Sequence, residues 1–320
     1  MLHLQNASSG SSAAIAVEHG FNCVEFRAHL ADGRVVDVLS TPNTIKPGQS
    51  IATHCGIPLL FPFPNRIAGG RYSWEGKDFH LPPGSVVYDE SGNAIHGLCV
   101  DRLWRVTESL ADSVTGTFRL SIDAPDRLSQ WPTDAEIFVT YKILGSCLRC
   151  EIRVVNPTDH ALPWGFGTHV YFNVPLLNSS TTGQCTLFVP ARSIWELNKG
   201  LPTGRKKNPP DHTDLRRTPS LNGLKVDDIY SDIVSENGRI VCRITDHAAG
   251  VAVEQRCSTD FREFVVFTPP WNSAVCIEPY TCVTDAINLQ QNGIDSGLRI
   301  LQPGEEWTGW IEIEAVTLKS

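Results

Sequence analysis

The segment Val275-Cys276-Ile277-Glu278-Pro279-Tyr280 sets one carboxylate inside an apolar, proline-stiffened run. Burial there raises a carboxylate's basicity above that of a solvated glutamate, so Glu278 is a candidate proton acceptor. Far upstream, Trp164-Gly165-Phe166-Gly167-Thr168-His169-Val170-Tyr171-Phe172-Asn173 holds one histidine in an aromatic, glycine-bearing stretch where backbone can approach a ligand closely. His169 is the matching proton donor. Gly56 to Ile67 carries Pro58, Pro62 and Pro64, too many missing ladder donors for a sheet interior, and reads as an ordered loop or edge presenting Asn65 and Arg66. A guanidinium held that way donates several hydrogen bonds and suits clustered hydroxyls. A second lone histidine, His96, precedes Gly97, and Asp227 lies in an acidic pair with Asp228 that on its own would suit a turn.

The elements that must position these groups read as strands. Ile137, Val139, Tyr141 and Ile143 alternate with Glu136, Thr140 and Lys142, the period of a half-buried strand. The same period recurs at Phe118/Leu120/Ile122, at Leu148/Cys150/Ile152/Val154 and at Ile311/Ile313. One wet face per sheet implies antiparallel pairing. The sequence shows no amphipathic helical pattern longer than about three turns. Glycine and proline are spread along the chain, which carries no internal repeat, so the expected architecture is all-β: one large antiparallel β-sandwich domain over residues 1–320. Lys199 to Gly223, with four prolines and the basic run Arg205-Lys206-Lys207, reads as an exposed connection of solvated charge.

Composition narrows the partners. A net charge of −8 argues against nucleic acid and anionic membranes and favours a small neutral or polar ligand. The N-terminus lacks a basic region followed by an apolar stretch, and no run approaches about 18 apolar residues, so the expectation is a cytoplasmic protein with reduced thiols. Cys147-Leu148-Arg149-Cys150 lies on an alternating strand, where residues three apart face opposite ways, and local spacing elsewhere supports no zinc site.

Five short blocks, in order, resemble the aldose 1-epimerases, or mutarotases. They are Asn65-Arg66-Ile67-Ala68-Gly69-Gly70-Arg71-Tyr72; His96-Gly97 with Trp104 following; His169-Val170-Tyr171-Phe172-Asn173; Val226-Asp227-Asp228-Ile229-Tyr230; and Ile277-Glu278-Pro279. The resemblance implies a large antiparallel β-sandwich that needs no metal and no cofactor and acts on a sugar. It implies Glu278 as general base, His169 as general acid and His96 as a group hydrogen-bonding near the ring oxygen, with Asn65, Arg66 and Asp227 holding sugar hydroxyls. Val174, Val226 and Tyr230 depart conservatively from the family's usual residues, and roughly the first forty residues match none of its motifs. A carboxylate beside His169 would favour the imidazolium and keep it able to donate, and Trp164, Phe172 and Tyr280 could stack on a pyranose face.

Three rivals compete with a hexose mutarotase. A glycoside hydrolase would use Asp227 and Glu278 as its two carboxylates but leave both histidines unexplained. A carbohydrate-binding sandwich without turnover would need neither base nor acid. A hexose 6-phosphate mutarotase would need extra cations at the pocket, from Arg71 or the stretch 205–217.

Overall fold

The structure is a computed structural model and describes residues 1–41 and 53–318. Its centre is an eight-stranded sheet ordered Arg105–Ser109, Ser113–Arg119, Glu136–Leu144, Cys147–Val155, Glu306–Thr317, Val251–Ser258, Arg239–Asp246 and Cys185–Phe188. Neighbours pair antiparallel, as the wet-faced alternation requires. Ile137, Val139, Tyr141 and Ile143 are fully buried on its inner face. Opposite lies a second antiparallel sheet that carries the site. Its order is Leu201–Lys207, Ala191–Asn198, Asp227–Ile233, Glu263–Phe267 and Ala274–Tyr280, then Gly167–Thr168 and Leu59–Leu60, with Val170–Asn173 also pairing with Ala274–Tyr280.

The first forty residues, silent in sequence, build a four-stranded sheet from Leu2–Gln5, Ser12–Ala16, Asn22–His29 and Val35–Asp37. It feeds Phe21 and Phe26 into the main core. Phe21 stacks between Trp104, 5.5 Å away at 13°, and Tyr141, 5.7 Å away at 27°. Gly116 makes the room, because a Cβ there would stand 2.6 Å from the Phe21 ring.

Two expectations about elements are corrected. The alternation Phe118/Leu120/Ile122 does not continue as a strand: Leu120–Asp123 is a helical turn, and Ile122 is 55% exposed. The Asp123 carboxylate accepts the Arg119 N–H at 2.7 Å and Asp134 accepts the Ser121 N–H at 2.9 Å, so side chains replace the ladder partners and the chain turns. Lys199 to Gly223 is not all connection either, since Leu201–Lys207 pairs with Ala191–Asn198. Lys199 and Gly200, at φ 50° and 79°, form the two-residue turn that this hairpin needs. The charges there pair locally, Arg205 with Glu196, Lys206 with Asp232 and Arg216 with Asp214. Among the described residues the longest α-helix is Ala286–Gln291, and no helix is long and apolar enough to cross a membrane.

Candidate active site

Ala274–Tyr280 is buried along its whole length, covered on both faces. Alternate side chains of one strand share a face, so Cys276, Glu278 and Tyr280 point the same way. On the adjoining segment Gly167 pairs with Tyr280 and Val170 with Ile277, which puts His169 across from Glu278. Their side chains meet, with His169 Nε2 3.3 Å from Glu278 Oε1. The Tyr280 hydroxyl donates to Glu278 Oε2 at 2.5 Å, so that oxygen is held and Oε1 is the one left for other partners. Gly167 is required by this arrangement, since a Cβ there would lie 2.2 Å from the Tyr280 ring. The His169 imidazole stacks flat on Tyr171, centroids 4.6 Å apart at 2°.

His96 comes from a different part of the chain. Its N–H donates to the Asn65 carbonyl at 2.8 Å, and the Leu98 N–H donates to the Phe61 carbonyl at 2.7 Å. This close approach explains Gly97, where φ is +82° and a Cβ would fall 2.4 Å from the Phe61 oxygen. The result brings the His96 ring 5.4 Å from His169, edge to face. Arg66 lies on a short pairing with Ala94–Ile95, at an edge as its proline-rich approach implied. Its Nε donates to Asp89 at 2.6 Å and its Nη1 to the Asn65 side chain at 2.9 Å. Asp227, exposed at the rim, pairs in register with Phe267. All six residues singled out in sequence, Asn65, Arg66, His96, His169, Asp227 and Glu278, line one cavity of about 910 Å³ counted with its open mouth.

The apolar walls were misjudged. Trp164, Phe172 and Tyr280 are buried core residues outside the cavity lining, and Tyr171, Phe267 and Trp271 take the place expected of them. Trp271 is 58% exposed at the mouth, against Phe267 at 5.7 Å. Sequence carried no signal for these, because they reach the cavity from separate strands and a turn that only the fold brings together.

Electrostatics corrects a further expectation. Burial pushes His169 down to about 3, against a backbone hydrogen bond that favours the charged form, so the imidazole is neutral rather than held as an imidazolium. Burial likewise drives Glu278 well above the usual carboxylate range, against the Tyr280 hydrogen bond, which favours ionisation. His96 is pushed well down by burial and then by its neighbour His169. The pair Glu278 and His169 thus favours its uncharged form, a carboxylic acid beside a neutral imidazole. Asp89 behaves oppositely: burial opposes its ionisation, but hydrogen bonds from the Asn93 backbone and side chain and from Arg66 win and hold it below its ordinary value. Among the described lining residues Arg66 is the one Lys or Arg, faced by the carboxylates of Asp89, Glu90, Asp227 and Glu278.

The Arg66 loop is braced from behind by Asp285, whose N–H donates to the Arg66 carbonyl at 2.8 Å and whose carboxylate accepts the Ala68 N–H at 3.0 Å. Burial pushes Asp285 up to about 6. A carboxyl raised on folding contributes stability that is complete below its unfolded value near 3.9 and is lost as pH rises through about 6. Asp285→Asn keeps the accepting oxygen without the buried charge. It is expected to leave stability unchanged at pH 4 and to raise it by about 1–3 kcal/mol at pH 8, read from urea unfolding at both values. A loss of stability at pH 8 would contradict this reading.

Uncharacterized protein YihR of Escherichia coli (strain K12) is 31% identical over 157 residues, covering 48% of this chain and 46% of that protein. The galactose mutarotase of Rattus norvegicus is 29% identical over 112 residues, 34% of this chain and 30% of that one. The aligned part of this chain spans less than half the length of either relative. Among solved structures, a galactose mutarotase-like protein from Clostridium acetobutylicum superposes with a TM-score of 0.86 at 22% identity, over 97% of this chain and 94% of that one. The GalM/aldose epimerase homologue from C. elegans gives 0.81 at 19% identity, over 99% of each chain. These two likenesses show a shared fold. The sequence profile for aldose 1-epimerase runs from residue 2 to 314, nearly all of both eight-stranded sheets and every residue that lines the cavity, and the chain therefore belongs to the aldose 1-epimerase family.

Proposed function

We propose that the protein interconverts the α and β anomers of an unphosphorylated hexose by general acid/base ring opening and reclosure, in the cytoplasm and without a cofactor. The observation that carries this reading is the contact of Glu278 Oε1 with His169 Nε2, 3.3 Å, on the floor of a cavity rimmed by Arg66, Asn65, His96 and Asp227. Opening a pyranose at its anomeric carbon requires a proton to leave the C1 hydroxyl and one to reach the ring oxygen. The aldehyde then rotates about C1–C2 and recloses. Nothing is oxidised and no group is transferred, so two positioned proton-transfer groups suffice.

The proton inventory of the site fits. Glu278 and His169 share one proton, whether as acid and imidazole or as carboxylate and imidazolium. A bound sugar brings hydroxyls to Oε1 that solvate the charged form, and the shared proton moves to His169. Glu278 then takes the C1 proton and His169 protonates the ring oxygen, with His96 hydrogen-bonding beside it. On reclosure the roles reverse. Asn65, Arg66 and Asp227 hold the remaining hydroxyls, and Tyr171, Phe267 and Trp271 supply apolar faces for the ring.

The charge at the mouth supports a neutral sugar. Arg66 is already engaged by Asp89 at 2.6 Å, and a phosphate ester would meet carboxylates. Arg71 and the stretch 205–217, the cations a sugar phosphate would need, are not among the cavity's described lining. Polarimetry of freshly dissolved α-glucose, α-galactose and glucose 6-phosphate tests the reading. The neutral hexoses are expected to have kcat/KM at least tenfold above the ester, about 1.4 kcal/mol, with chelator present. A tenfold preference for the ester would overturn the substrate class, and no acceleration of any of the three would overturn the reaction.

A further inference from the structure

One more chemically competent side chain lies just behind the cavity floor, against the lining residues His169 and Glu278. Cys276 stands two residues before Glu278 on the same strand, hence on the same face, and is fully buried. A nitrogen of His169, the Cys276 sulfur and a carboxylate oxygen of Glu278 all lie within 4.8 Å of one another. Among the described residues His169 Nδ1 has no hydrogen-bond partner although its residue is more than nine-tenths buried, and buried Glu278 Oε1 has only the 3.3 Å approach of His169 Nε2. Local spacing could not reveal this trio, because one ligand, His169, comes from a distant segment between Gly167–Thr168 and Val170–Asn173 and only the pairing with Ala274–Tyr280 brings it across.

We propose that His169, Cys276 and Glu278 form an inhibitory site for a borderline or soft divalent cation of the zinc and cadmium class. One nitrogen, one sulfur and one carboxylate oxygen form a donor set suited to such ions, and the thiolate disfavours magnesium and calcium, which prefer all-oxygen shells. Three protein ligands with a fourth position open to the cavity is the usual arrangement for an accessible zinc. Metal–ligand bonds of about 2.0–2.3 Å put tetrahedral ligands about 3.3–3.8 Å apart, so side-chain rotations of order 1 Å close the set. The charges balance: the Cys276 thiol and the Glu278 carboxylic acid each release a proton to solvent, and thiolate plus carboxylate neutralise a divalent ion in a buried place. The bound ion would occupy both proton-transfer groups at once, so the inhibition rests on the proposed mutarotase reading, whereas the binding does not.

The test separates the two. Protein freed of metal with chelator and then desalted is titrated with cadmium alone, and the ultraviolet thiolate-to-cadmium absorption is followed. One equivalent is expected to saturate the band in the native protein, and the band is expected to be lost in Cys276→Ser and in Cys276→Ala. Thermal unfolding of both variants confirms folding, and either folded variant suffices. In the anomer assay zinc is expected to inhibit, with an inhibition constant at least tenfold higher in the folded variant, whose uninhibited kcat stays within about threefold of native. No band in the native protein, or an undiminished band in the variants, overturns the site whatever the protein's activity. A band without inhibition of an active enzyme overturns the inhibitory role.

Discussion

Replacing Glu278 by glutamine is expected to lower kcat for anomer interconversion by about 10²–10⁴-fold, the usual worth of a positioned proton-transfer group. The substitution is close to isosteric. The glutamine oxygen can still accept the Tyr280 hydroxyl, which donates to Oε2 at 2.5 Å in the native site, and the amide then faces His169 where Oε1 stood. What is lost is the ability to take the C1 proton. Because hydroxyl-binding groups at Arg66 and Asp227 are untouched, KM should move by less than about threefold, so the loss falls on kcat and kcat/KM alike. His169→Asn should show the same pattern by removing the partner that carries the shared proton. A Glu278→Gln protein with near-native kcat would remove Glu278 from the chemistry.

Phe21→Ala is expected to cost about 3–5 kcal/mol of folding stability, measured as a shift of the urea midpoint at constant slope. The ring is fully buried and stacked between Trp104 and Tyr141, so truncation removes its transfer free energy and two aromatic contacts and leaves a hole. Collapse into the hole is limited, because Tyr141 is fixed in the ladder between Val114 and Cys150. Phe21 is absent from the cavity lining, so kcat of the folded variant should be native. A cost below about 1 kcal/mol would mean that the N-terminal sheet adds little to the core.

The middle of the central sheet was readable because its strands there keep one wet face, so alternation marked Glu136–Leu144 and Cys147–Val155 directly. The same logic failed where the signal was absent or imitated. Ala274–Tyr280 is covered on both sides and shows no alternation, so the chain revealed Glu278 by its isolation among apolar residues but not which neighbours share its face. Cys276, Phe267 and Trp271 escaped notice for that reason. Leu120 and Ile122 imitated a strand whose ladder is cut by Asp123 and Asp134. Lys199-Gly200 is a hairpin turn hidden inside a basic, proline-rich stretch. The six candidate residues were singled out by the order of short blocks that resemble the family, and the structure brings them to one cavity, two of them, Asn65 and His96, at positive φ of 54° and 71°. Their protonation was not legible, since burial, which sets it for His169 and Glu278, depends on the whole fold.

Proton exchange spectroscopy on an equilibrated mixture of glucose anomers in D₂O tests the central claim most directly, because it observes the two forms interconverting without any net reaction. The account predicts that catalytic amounts of the protein produce exchange between the α and β H1 resonances, that Glu278→Gln abolishes it, and that no deuterium enters C1 or C2, since only oxygen-bound protons move. Absence of exchange above the spontaneous rate, or deuterium appearing at C2, would contradict it.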